Sequence, residues 1–131
     1  MSLNNNIQNA LTSQLANIVG LPPIAYSNVE FNPVQGSSYI RPTLIPAKSV
    51  IYSLTQGKHM GIYQVDIFTQ VDKGSAPLFL IADSIRDAFK ANLSLVSGGD
   101  TIFIQEVGIS KAQRVDGWWT CFVEVNYLCF N

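Results

Sequence analysis

In Gly61-Ile62-Tyr63-Gln64-Val65-Asp66-Ile67-Phe68-Thr69, the apolar Tyr63, Val65 and Ile67 alternate with Gln64 and Asp66. That period of two is what a strand with one dry face produces. Upstream, Phe31-Asn32-Pro33, Gly36, Tyr39-Ile40-Arg41-Pro42 and Ile45-Pro46 form a second extended segment that faces the first across a polar, turn-rich loop. Tyr39 to Leu44 is expected to be a strand, and Pro42 and Pro46 confine it to a sheet edge or an irregular path. A further short strand is expected at Ala25 to Val29, set apart by the Pro33 and Gly36 turn region. Between the two main segments, Ala47 to His59 carries Lys48, Ser49, Ser53, Thr55, Gln56, Gly57 and Lys58 around an apolar Val50-Ile51-Tyr52. It reads as a long β-hairpin arm that projects from the body, with little core to hold it down.

Downstream, Asp72-Lys73-Gly74 closes the strand, and Ser75 with Pro77 opens a helix expected to reach about Asn92. Its buried stripe is Leu78, Ile81, Ala82, Ile85, Ala88 and Phe89, while Asp83, Arg86, Asp87 and Lys90 form a solvated face with local ion pairs. Gly98-Gly99-Asp100 turns the chain into a strand over Thr101 to Ser110, and Val115-Asp116-Gly117 turns it back into Trp118 to Phe130. On that last strand Trp119, Cys121, Val123, Val125, Tyr127 and Cys129 make one apolar face, and Trp118, Thr120, Phe122, Glu124, Asn126 and Leu128 a mixed one.

At the other end of the chain, Ile7, Leu11, Leu15 and Ile18 predict an amphipathic helix over Leu3 to Val19, with Asn4 to Asn6 as caps and Gly20-Leu21-Pro22-Pro23 as the stop. No charged residue precedes Glu30, which nominates the outer face of this helix as a partner surface. The expected fold is therefore an α/β (α+β) single domain over residues 1–131. It has a mainly antiparallel sheet, two helices packed on its apolar face and the projecting arm.

The 131 residues suit one core, and charged residues make up only 13% of them while hydrophobic ones stand at 47%. Asn, Gln, Ser and Thr fill the deficit, a surface that suits an oligomer because interface cores are poor in Lys, Glu and Asp. The formal net charge is −1 with no basic cluster, so the footprint of a nucleic-acid binder is missing. A neutral to acidic surface suits a protein that DNA slides past. No apolar run is long enough to cross a bilayer, and the start lacks the pattern of a signal peptide, so the chain is expected in the cytoplasm when made. Cys121 and Cys129 stand about 26 Å apart along one strand, beyond disulfide reach, and are expected to be reduced and buried.

Signs of chemistry are sparse. His59, the only histidine, is expected in an exposed loop with no nucleophile or carboxylate placed beside it. Gly98-Gly99 lacks the spacing and the lysine of a phosphate-binding loop. An enzymatic reading rests on Asp66 and Glu124, which would share a sheet face as an acid/base pair if their strands are neighbours. Such a pair should show one strongly raised pKa. A small-ligand pocket between sheet and helices is a third reading. No cofactor or metal is expected.

The order and spacing of the segment from Phe31 to Thr69, the Ser75-Ala76-Pro77 helix start and Asp116-Gly117-Trp118 resemble the tail terminator proteins of long-tailed bacteriophages, the group of the phage lambda terminator. The resemblance runs from the first helix to Tyr127. It implies a small, non-enzymatic α/β subunit that assembles with itself into a sixfold ring on the head-proximal end of the tail tube. There it would stop tube growth and offer a docking surface to a head-completion or connector protein, while DNA passes through without specific binding. The implied location is the virion tail, after assembly in the host cytoplasm and away from any membrane. On that reading Val50, Ile51, Tyr52, Gln56, Lys58 and His59 of the arm are expected at the subunit interface. Gln64, Asp66, Glu124 and Asn126 are expected to face a neighbour or the lumen.

Overall fold

The alternating stretch lies in the second of the six strands among the described residues, β2 (Gly57–Gln70), where Gly61, Tyr63, Val65, Ile67 and Thr69 are buried and the residues between them half-buried. The computed structural model describes residues 2–34, 36–51, 57–90 and 93–130, with residues 48–51 given by their backbone alone. In chain order its elements are α1 (Leu3–Ala16), β1 (Tyr39–Ile51), β2, α2 (Ala76–Ala88), β3 (Ser94–Ser97), β4 (Asp100–Ile109), β5 (Gln113–Val115) and β6 (Trp118–Phe130). The strands form one sheet in the order β1-β2-β6-β4-β3, with β5 also paired to β6 and every named strand pair antiparallel. Both helices cover the dry face. Ile7, Leu11 and Leu15 of α1 and Leu78, Ala82 and Ile85 of α2 meet Tyr63, Val65, Ile67, Val123, Val125 and Tyr127 in one core. Each large side chain buried there stabilises the fold by about 1.5–3 kcal/mol.

Polar residues tie the layers together. Thr12 and the Tyr63 hydroxyl share a hydrogen bond of 2.9 Å, and Gln14 donates to the Ala88 carbonyl at 2.9 Å, satisfying an end-of-helix acceptor on α2. The buried Asn6 donates to Asp100 at 2.8 Å, beside the β3–β4 turn. Part of the charge-free character of α1 is thus used inside the fold, while Asn4, Asn5, Gln8, Asn9, Ser13 and Asn17 remain exposed.

Several boundaries differ from expectation. α1 stops at Ala16 and its cap is Ser2, whose hydroxyl accepts from the Asn5 N–H at 3.2 Å; Asn4 to Asn6 lie inside the first turn. α2 stops at Ala88 because Phe89 leaves helical geometry and turns fully inward, 6.2 Å from the Tyr63 ring. Its expected end at Asn92 lies outside the described residues. Ser75 occupies the cap position without capping; its hydroxyl accepts instead from the Trp119 indole at 3.2 Å. The strand expected at Ala25 to Val29 is a single parallel bridge, Ile24 to Ile40, after which Asn28 takes φ 57° and turns the chain away. β3 and β5 carry too few residues for an alternating pattern to reveal them. The solvated face of α2 is as expected, with Arg86 3.5 Å from Asp83 and 3.7 Å from Asp87.

Cys121 and Cys129 are free, buried and on the core face of β6. Burial pushes the Cys121 thiol up to about 11 and raises that of Cys129. Thiol labelling of the native protein at pH 8 is therefore expected to be slow at both sites and reducing agent to leave the unfolding midpoint unchanged. Fast modification of both cysteines under native conditions would contradict this packing.

Candidate functional site

Paired residues of adjacent antiparallel strands share a sheet face. β2 and β6 are neighbours, with Gln64 opposite Glu124, Ile62 opposite Asn126 and Asp66 opposite Phe122. Gln64, Asp66, Glu124 and Asn126 accordingly stand together, half-buried, at the centre of the face turned away from the helices. β1 adds Arg41 opposite Asp66 and Thr43 opposite Gln64, and β4 adds Glu106 opposite Asn126. The Asn126 amide donates to Glu106 at 3.2 Å. Three carboxylates against one guanidinium give the middle of this face an acidic balance.

Glu106 reaches the face through a β-bulge. The register between β4 and β6 shifts between Ile104 and Glu106, so Ile102 and Ile104 precede the shift on the core side and Val107 and Ile109 follow it there. Sequence reading missed Glu106 and Arg41 as members of this face. The signal for Glu106 was present as a switch of apolar parity, from positions 102 and 104 to 107 and 109.

Asp66 and Glu124 do share the face, as diagonal neighbours rather than an opposed pair. The Asp66 carboxyl is raised above its ordinary value, chiefly by burial, against the lowering effects of the Gln64 amide at 3.0 Å and of the Arg41 charge. Its shift is thus accounted for without a second carboxylate, so the signature of a working acid pair does not arise from these contacts. A raised carboxylate binds its proton more tightly in the folded state. Stability therefore falls as pH rises from the unfolded pKa through the folded one, and the penalty stays constant above it. Asp66→Asn removes that penalty. The variant is expected to unfold at the same or a slightly higher denaturant concentration than the parent at pH 7, with the advantage vanishing towards pH 3.8, the ordinary value. A clear loss of stability at pH 7 would show that the Arg41–Asp66 attraction outweighs burial.

At one end of the same face the rings of Tyr39 and Phe68 stack at 4.4 Å, Trp118 meets Tyr39 edge-on at 5.2 Å, and the Arg41 guanidinium lies 5.8 and 5.7 Å from the Tyr39 and Phe68 centroids. An open cleft of about 560 Å³ lies beside this cluster, lined by Pro33, Gly36, Gln70, Val71, Gly117 and Trp118. It is outside the sheet–helix layer, where the third reading would put a ligand pocket and where the core side chains of both layers are buried instead.

The base of the arm is part of the sheet. Ser49, Val50 and Ile51 pair with His59, Lys58 and Gly57, and Lys58 and His59 pair on their other side with Phe130 and Cys129. His59 is thus a half-buried strand residue and not an exposed loop histidine, because β2 begins two residues before it. Of the remaining expected interface residues, Val50 and Ile51 are described by backbone alone, and Tyr52 and Gln56 lie outside the described residues. Among the described residues no group of three or more His, Cys, Asp and Glu could hold a metal ion, and no helix is long and apolar enough to cross a membrane.

The sequence model of the family described as phage tail terminator protein matches residues 6–127. A solved chain whose name states no function superposes with a TM-score of 0.77 at 22% identity, covering 98% of this chain and 96% of that one. A chain of the virion of a native gene transfer agent particle superposes with a TM-score of 0.68 at 17% identity, again covering 98% and 96%. No curated protein matches.

Proposed function

The chain belongs to the phage tail terminator protein family, and from that premise we propose that it is the subunit of a closed ring, six copies by the family pattern, that caps the head-proximal end of the tail tube. Membership makes it a structural protein of the phage tail, and so of the virion. The observation that carries the reading is the family match over residues 6–127, which takes in most of α1, all of α2 and nearly the whole sheet.

In the proposed ring one axial surface matches the growing end of the tube and blocks further addition, and the other receives a head-completion or connector protein. Shape and ring closure take the place of catalysis. The acidic face of Asp66, Glu106 and Glu124 suits a lumen, where cationic groups would grip the phosphates of passing DNA and carboxylates would not. The arm residues Val50, Ile51, Tyr52, Gln56, Lys58 and His59 supply the contact between neighbours. The polar helix α1 is left for the outside of the ring.

A head-to-tail ring closes at a fixed number of copies, whereas the same contact without closure gives filaments. Mass measurement across a range of concentrations is expected to find a monomer and one discrete ring. A continuous, concentration-dependent series of larger species would refute closure.

A further inference from the structure

The two edges of the sheet differ in their capacity to accept another strand. On β1, the Ile40 N–H donates to the Pro23 carbonyl at 3.0 Å and the Ile40 carbonyl accepts from the Ala25 N–H at 2.7 Å, so both groups of Ile40 point away from β2. The period of two puts Pro42, Leu44 and Pro46 in the same orientation. Pro42 and Pro46 have no N–H to offer, and the Pro42 carbonyl already accepts from the Ser27 hydroxyl at 3.1 Å. From Ile40 to Pro46 this edge offers a further strand only the Leu44 backbone and the Pro46 carbonyl. Past Pro46, β1 runs on to Ile51 with no further proline.

The opposite edge is open. The Ile104 N–H donates to the Leu93 carbonyl at 2.9 Å, and the two-residue turn Gly98-Gly99, with φ 59° and 88°, closes Ser97 onto Asp100. Leu93, Leu95 and Ser97 therefore point their backbone groups at β4, and those of Ser94 and Val96 point outward. Both residues are exposed, Val96 by 71%, and β3 contains no proline. Residues Val50, Lys58, Phe130, Thr101 and Val96 are successive partners in one row that crosses the entire sheet. The part of β1 past Pro46 and β3 thus sit at the same height on opposite edges. Four antiparallel steps separate them, so they run in the same direction.

We propose that the backbone of residues 47–51 in one copy adds, in parallel, to the open β3 edge (Ser94–Ser97) of the next copy. This rests on the ring reading and specifies its seam. A rotation about an axis along the strands brings these two edges together without a shift in height, which a second copy of this chain supplies and an unrelated partner does not.

Val96→Pro tests it, because among the described residues the substituted N–H makes no bond and proline already occupies the equivalent outward positions Pro42 and Pro46. The variant is expected to keep the parental unfolding midpoint and slow thiol labelling, and to lose about tenfold or more in affinity at each seam, the worth of one or two backbone hydrogen bonds. A second variant, Val50→Cys with Val96→Cys, is expected to give a ladder of disulfide-linked copies on oxidation, which the parent with its buried cysteines does not. A well-folded Val96→Pro protein that forms rings at full strength overturns the seam and leaves the ring standing. If that variant fails to fold, the cysteine pair decides, and oxidised rings without cross-links overturn the proposal. Absence of any ring in the parent protein overturns the ring reading itself.

Discussion

Gly61→Ala is expected to cost about 2–3 kcal/mol of folding stability, the scale of overpacking a site that cannot relax. Gly61 sits in the middle of β2 between Pro46 on β1 and Tyr127 on β6. A β-carbon there would lie 2.5 Å from the Tyr127 hydroxyl and 2.6 Å from the Ile45 carbonyl oxygen. The hydroxyl belongs to a buried ring and the carbonyl to the backbone of the neighbouring strand, so neither yields without moving the sheet. Gly108→Ala is the control. Its β-carbon would enter open space, and replacing a strand glycine there should be neutral or stabilise by a few tenths of a kcal/mol. Urea unfolding of the two variants beside the parent measures the difference. Equal midpoints for Gly61→Ala and Gly108→Ala would mean that Tyr127 does not cross β2 at Gly61.

Serine at Val50, Ile51 and Tyr52 together is expected to abolish ring formation in a protein that still folds. Full burial of three such side chains at a neighbour is worth roughly 5–9 kcal/mol per interface, against about 1–2 kcal/mol of backbone entropy for each residue that orders there. Without the apolar gain only the backbone hydrogen bonds of the seam are left to offset the cost of ordering. The fold should survive because the arm's second strand is held independently: Lys58 and His59 pair with Phe130 and Cys129 as well as with β1. That double pairing also narrows where exchange should respond to assembly. The amide of His59, which faces β6, is expected to be protected already in the free subunit, and the amides gaining protection in the ring to lie on the β1 side of the arm, from Ser49 onward. A triple variant that caps tails normally would place the subunit contact elsewhere.

Much of this fold was legible because its central strands are one-faced. The alternation of Tyr63, Val65 and Ile67 on β2 and of Cys121, Val123, Val125 and Tyr127 on β6 specified both the sheet and the side the helices cover. Pro42 and Pro46 marked the edge, and the structure puts β1 there with its register broken after Pro46. What stayed hidden depends on tertiary contacts that leave no local pattern. Ala25 to Val29 has strand-like composition, yet it straps the β1 edge through one bridge because Pro22 and Pro23 hold the chain extended while Asn28 turns it away. Phe89 has an ordinary helical neighbourhood and ends α2 because the core beside Tyr63 takes its ring. The polar face was legible as a set, since strand parity fixes it, but Arg41 and Glu106 required the strand order and the bulge.

Isolated tail tubes incubated with the protein and imaged by electron microscopy test the central claim most directly. The account predicts one closed ring at a single end of each tube, with no elongation of capped tubes when fresh tube protein is added. Decoration along the tube wall, or elongation past the bound protein at the same rate as uncapped tubes, would contradict it.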